Sequence, residues 1–198
     1  VFLGFNTLEP PFNDARVRRA LNYAVDADVL IATMMNGYGT RALMGPQRAW
    51  GSVPLDVAGP YPYDPEMAKK LLAEAGYPNG LNIDCGGFRA GNYQELMQAV
   101  AVQLARVNVT CNVQVNEEVG TWFGRWLNKE IKGFYMMASD TSKDSVDGHM
   151  GAWFDSTRRS PYYDSAELND MVHAARATMD DAERAERYTE IGKFFRED

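Results

Sequence analysis

Three aspartates, Asp140, Asp144 and Asp147, and a histidine, His149, fall within one polar stretch, DTSKDSVDGHMG, directly after the apolar run GFYMMAS. Carboxylates gathered this way can hold a cation, pair with an ammonium group or exchange protons. Their spacing lacks the Asp-x-Asp-x-Asp-Gly order and closing Glu of a calcium loop, and three acids in a loop are ordinarily solvated. What raises Asp144 to a candidate is its place after a strand, because the carboxyl ends of α/β strands are where ligands sit. Arg89 holds the matching place after a second run, in GGFRAGNY, where glycines let backbone approach a ligand closely. A lone loop arginine is ordinarily solvated too, so Arg89 is a candidate on the same terms.

The machinery of catalysis is missing from the sequence. There is no Gly-x-Ser-x-Gly elbow, phosphate loop, Gly-x-Gly-x-x-Gly after a strand or Cys-x-x-Cys pair. The histidines number 2. His149 lies in the polar loop, and His173 flanks a helical apolar stripe, which places it at a solvent edge. Trp50, Trp122, Trp126 and Trp153 can line a pocket or fill a core, and Trp126 is assigned to the core. Cys85 and Cys111 each sit in an expected strand with apolar neighbours two residues away. Two buried free thiols are the preferred reading, with a bridge open if the strands are adjacent. These residues favour binding over catalysis.

The elements that must position them come from a chain of 198 residues, 45% hydrophobic, with a formal net charge of -7. That is enough to bury a core, most simply as one domain over 1–198. The acidic balance argues against a nucleic-acid partner, and Arg16, Arg18 and Arg19 read as the solvated face of a helix. No apolar run is long enough to span a bilayer. The chain opens inside an expected strand, VFLGFN, and closes in a helix, so both ends read as cuts within a longer protein.

After the first strand, Pro10 and Pro11 turn the chain, and Asn13 is expected to cap a helix with Phe12 stapling onto Val17. A second helical run ends at Gly37. From Tyr38 to Tyr63 no period is sustained, and a long functional or wrapping loop is expected, carrying Trp50 and Tyr61. In YDPEMAKKLLAEAGYPNG, Asp64 is the N-cap, Pro65 the first helical residue and Gly76 the left-handed stop. A strand, LNIDCGG, a helix from Tyr93 to Val107 and a strand, TCNVQV, form a βαβ unit. An amphipathic segment from Val119 to Lys129 precedes the strand GFYMMAS, and two final helices start at the capping boxes Asp164–Glu167 and Asp180–Glu183. The fold class expected is α/β, a small mostly parallel or mixed sheet flanked by helices.

The order of these pieces carries a resemblance. FNTLEPPFNDARVRRALNYAVDADVLI followed by YDPEMAKKLLAEAGYPNG resembles the family 5 extracellular solute-binding proteins of ABC importers, the dipeptide-, oligopeptide- and nickel-binding group. YQELMQAVAVQLARVNVTCNVQV, GFYMMAS and TMDDAERAERYTEIGKFFRED resemble its later helix, strand and closing helix, so the resemblance covers essentially the whole chain.

The resemblance implies the second lobe of a two-lobed, periplasmic-binding-protein-like fold at the periplasm or cell surface, with the signal peptide elsewhere. Lobes of this kind close on a small solute, commonly a peptide, and deliver it to a membrane permease. The implied partners are therefore the first lobe of the same chain and that permease, with no nucleic acid, cofactor or covalent chemistry. In peptide-binding members an Asp after the GFYMMAS-like strand pairs with the peptide's amino terminus, and that position falls on Asp144. The family's Trp in Gly-Trp-x-x-Asp is Thr141 here, beside Ser142, and the Asp-Pro that often follows is absent, so an ordinary dipeptide is not assured as the ligand. Arg89 matches a position where many members carry Arg, whose natural partner is a carboxylate or a main-chain carbonyl. Trp50 completes the expected solute-facing set. A ligand sensor built on the same lobe is the alternative, and a small α/β enzyme ranks last.

Overall fold

The computed structural model describes residues 1–41, 59–137, 155–157 and 162–197. The chain divides into two compact units, Val1–Arg41 with Tyr61–Ser139, and Ala42–Pro60 with Asp140–Asp198. Among the described residues no helix is long and apolar enough to cross a membrane.

The first unit is built on a four-stranded sheet. Its strands are β1 (Phe2–Phe5), β2 (Leu81–Phe88), β3 (Val109–Glu117) and β4 (Phe134–Met137), in the order β1-β4-β2-β3. β2 runs parallel to both β3 and β4, and β1 runs antiparallel to β4. The sheet is therefore mixed, as the sequence allows. Parallel neighbours cannot be joined by a tight turn, and α4 (Tyr93–Ala105) makes the crossover from β2 to β3.

Side chains alternate across a strand. One face of the sheet places Ile83, Cys85, Val115, Phe134 and Met136 against α1 (Ala15–Ala24), α3 (Pro65–Glu74) and α4, where Val17, Leu21, Leu72, Met97 and Leu104 are buried. The short α2 (Ala27–Met34) adds Leu30 to the same core. Gln103 is buried on α4 and clamps the junction before α2: its Oε1 accepts from Asp26 N at 2.6 Å, and its Nε2 donates to Asp26 O at 3.3 Å.

The other face is fitted to aromatic rings. A Cβ at Gly4 would lie 2.6 Å from the Tyr135 ring, and one at Gly86 would lie 2.6 Å from the indole of Trp122. Trp122 and Trp126 come from α5 (Val119–Leu127) and are 2% and 3% exposed, so the core assignment of Trp126 holds. Gly86→Ala should cost about 1–3 kcal/mol, because the buried indole must shift to admit the methyl group. Urea unfolding measures it; an unchanged midpoint would mean that the indole is free to move.

The local signals resolve mostly as expected. Asp64 caps α3 by accepting from Glu66 N and Met67 N, Pro65 is its first residue and Gly76 has φ +95°. Five expectations need correction. The cap of α1 is Asp14, which accepts from Arg16 N at 2.8 Å, rather than Asn13. Arg18 does not lie on a solvated face: it is buried and donates to Phe12 O at 2.7 Å, satisfying a carbonyl exposed by the proline corner. α4 ends at Ala105 rather than Val107, because Asn108 at φ +61° already turns toward β3.

The fourth correction concerns the cysteines. Cys85 and Cys111 are joined as a disulfide, with Cα atoms 5.7 Å apart. They lie on the same face of adjacent parallel strands, where Ile83 pairs with Cys111 and Cys85 with Val113. Two thiols each flanked by apolar neighbours look alike whether free or bonded; pairing depends on strand adjacency and register, which composition does not reveal.

In the second unit, α6 (Ala166–Ala177) and α7 (Asp181–Glu197) pack through Leu168, Val172, Ala175, Tyr188 and Ile191. Asp180 accepts from Glu183 N at 2.8 Å, as its capping box requires. At α6 the cap is Ser165, which accepts from Leu168 N, because the Asp164 carboxylate is engaged by the Ser156 hydroxyl at 2.9 Å.

Candidate functional site

β2, β3 and β4 run in one direction, so their carboxyl ends share one edge of the sheet. Arg89 follows β2 there and Glu118 follows β3. The backbone N–H of Arg89 donates to Glu117 O at 2.7 Å, just past a register shift at Gly87/Phe88. Its guanidinium pairs with the Glu118 carboxylate, both side chains being about two-thirds exposed. Arg89 is thus not a free cation waiting for a solute, since a solute carboxylate would have to take the place of Glu118.

The loop beyond Arg89 is held from both sides. Tyr93 N–H donates to Ala90 O, and the Asn92 amide donates to Met34 O at the end of α2. The Tyr93 ring meets Phe88 edge-on at 5.3 Å. Burial pushes the Tyr93 phenol above its ordinary value of 10.0, so it stays neutral. Next to Glu118, Glu117 pairs with Arg125 of α5. Among the described residues, Arg89, Glu117 and Glu118 at this edge are each paired within the protein.

Sequence reasoning missed Glu118. The signal was present: opposite charges follow the two strands of one βαβ unit, and parallel strands bring their ends together. Of the expected site residues, Arg89 is at the strand-end edge. Asp144, Thr141, Ser142 and Trp50 lie outside the described residues, as do Asp140, Asp147, His149 and Trp153.

A second polar cluster, in the other unit, was also missed. The Asp155 side chain is fully buried, accepts from Thr157 N at 3.0 Å and from the Thr157 hydroxyl at 2.5 Å, and lies 3.2 Å from His173 Nε2 and 3.4 Å from Arg176 Nη1. Burial pushes its carboxyl up, but the Thr157 hydrogen bonds and His173 together hold it below the ordinary 3.8. His173 is half-exposed, the solvent-edge histidine expected, with one nitrogen turned to Asp155.

Acid, imidazole and hydroxyl here do not form a relay. A general base needs one ring nitrogen for its orienting acid and the other for the nucleophile. Asp155 and Thr157 both approach Nε2, with Thr157 Oγ1 at 3.4 Å. The cluster anchors the 155–157 segment to α6.

A carboxyl held low stabilises the fold above its unfolded value, and that stability is lost as pH falls through the lower, folded value. Asp155→Asn should therefore cost about 2 kcal/mol at neutral pH and flatten the acid limb of stability below about pH 4. Urea midpoints across that range test this; an acid limb identical to the parent's would exclude Asp155 as its source.

A model described as bacterial extracellular solute-binding proteins, family 5 middle, matches residues 1–161. The chain belongs to that family. Within it, glutathione-binding protein GsiB of Escherichia coli K12 is 27% identical over 94% of this chain and 38% of its own length. Heme-binding protein A of Haemophilus influenzae is 49% identical over 42% of this chain and 15% of its own. Among solved structures, the binding protein AgaA of A. tumefaciens R10, in complex with agropinic acid, superposes with a TM-score of 0.85 at 27% identity. It covers 98% of this chain and 41% of its own. A dipeptide-binding protein of Pseudoalteromonas sp. SM9913 in complex with Met-Leu gives 0.84 at 25% identity, over 98% and 40%. The chain thus spans about two fifths of the length of GsiB, AgaA and the dipeptide-binding protein, and its fold is that of a periplasmic-binding-protein lobe.

Proposed function

We propose that this chain is one solute-gripping lobe of an ABC-importer receptor, over 1–198, which works with a first lobe and delivers its solute to a membrane permease. The observation that carries the reading is the strand-end edge. Three parallel strands end together there, and Arg89 and Glu118 directly follow two of them. The family resemblance assigns Asp144 to the solute's ammonium group and counts Thr141, Ser142 and Trp50 among the solute-binding residues.

Relatives named for glutathione and crystallised with Met-Leu favour an amino-acid-derived solute bearing an α-amine. Closure of the lobes is a population shift driven only by contacts better made in the closed form. One lobe offers half of those contacts, so the isolated chain should bind weakly. The Cys85–Cys111 bridge supports a periplasmic or cell-surface location, since disulfides persist in oxidising compartments.

Calorimetric titration of the two-lobed protein with Met-Leu, glutathione and their N-acetylated forms tests the reading. Binding confined to the free amines supports it. Equal binding of the acetylated forms overturns the amine assignment, and no binding of any member overturns the solute class.

A further inference from the structure

The two cysteines of the bridge differ in exposure. Cys85 lies on β2, between β4 and β3, and is 1% exposed. Cys111 lies on β3, the edge strand among the described residues, and is only half-buried. An incoming thiolate or disulfide must contact the sulfur it reacts with, so access decides which cysteine exchanges with an external partner.

We propose that Cys111 is the entry sulfur through which a thiol–disulfide oxidase installs this bridge, with Cys85 as the internal resolving cysteine. The Cys111 thiolate attacks the oxidase disulfide, forming a Cys111–oxidase mixed disulfide and releasing one oxidase thiolate. The Cys85 thiolate then attacks Cys111 Sγ, forming the Cys85–Cys111 bond and releasing the second oxidase thiolate. The protein's two thiols give up two electrons and two protons, and the oxidase disulfide becomes a dithiol. Reduction runs the same route backwards, with attack at Cys111 and departure of Cys85.

Register supports the division of labour. Cys85 pairs with Val113 and Cys111 with Ile83, so β2–β3 pairing already places the resolving sulfur beside the entry sulfur. The crossover through α4 makes this proximity a product of folding, since the two cysteines are separated by 26 positions in sequence. The bridge therefore closes on native strand pairing.

The test uses the whole oxidised chain and reduced glutathione as the probe. After partial exchange, acid quenching and alkylation, peptide mass spectrometry locates the glutathione adduct. The expected result is an adduct on Cys111 in at least about tenfold excess over Cys85. Equal adducts, or an excess on Cys85, overturn the proposal. Single variants give an independent reading. Under native conditions the thiol left in Cys85→Ser should react with an aromatic disulfide at least about tenfold faster than the thiol left in Cys111→Ser. Equal rates in folded variants overturn the assignment, and if either variant fails to fold, the adduct on the unaltered chain decides.

Discussion

Reducing the Cys85–Cys111 bridge, or replacing both cysteines with alanine, is expected to lower the unfolding free energy by about 3.5 kcal/mol. The bridge closes a loop of 26 residues in sequence, and the stabilisation comes mainly from the conformations it denies the unfolded chain. The folded state should change little, because β2 and β3 are paired from Leu81–Val109 through Phe88–Glu117 whether or not the sulfurs are joined. Urea unfolding with and without a phosphine reductant measures the difference. Circular dichroism in the absence of denaturant should be the same for both forms. A stability difference below about 1 kcal/mol would mean that the reduced unfolded chain is already restricted in this region. A lost native spectrum would mean that the bridge, rather than strand pairing, holds β3 at the sheet edge.

Much of the fold was legible because its signals are local. Asp64, Pro65 and Gly76 each act through their own backbone, and α3 begins and ends where they place it. The displaced cap of α6 has a different origin. Asp164 is drawn to Ser156, 8 residues earlier, and leaves Ser165 to cap α6, a competition that lies outside the helix's own first turn. The disulfide and the Arg89–Glu118 pair depend on which segments meet. Burial of Arg18 is unexpected from periodicity, since one carbonyl at a proline corner decides it.

The residues that carry the family resemblance turn out to be architectural. Asn6 is buried and bonds Ile131 O through its amide, while its Oδ1 receives Leu8 N. Arg16 folds back on Asp14, the cap of its own helix, and reaches Glu74 O at 2.6 Å, the last residue of α3. The two N-terminal motifs thus record the docking of α1 on α3. They identify the family strongly and contain no information about the solute. Solute choice is proposed to depend instead on loops after strands, among them the stretch with Thr141. Strand polarity put Arg89 at the end of β2, where the structure has it, but did not reveal that Glu118 already pairs with it.

Asp144→Asn in the two-lobed protein is expected to weaken an amine-bearing solute by about 2–5 kcal/mol, roughly 30-fold to several-thousand-fold in Kd. The substitution keeps size and shape but removes the charge, which on the proposed reading leaves the solute's ammonium against a neutral amide. Arg89→Gln is the matched control. Its guanidinium sits in an exposed pair with Glu118, and exposed pairs contribute little, so Kd should change by less than about threefold. The comparison discriminates between two ways of gripping a zwitterion. If Asp144→Asn abolishes binding and Arg89→Gln does not, the solute is held by its amine and the strand-end ion pair is a fixed part of the rim. If Arg89→Gln has the larger effect, the solute's carboxylate displaces Glu118 on binding. In that case Glu118→Gln, by removing the competing carboxylate, should tighten binding; unchanged or weaker binding would eliminate that mode as well.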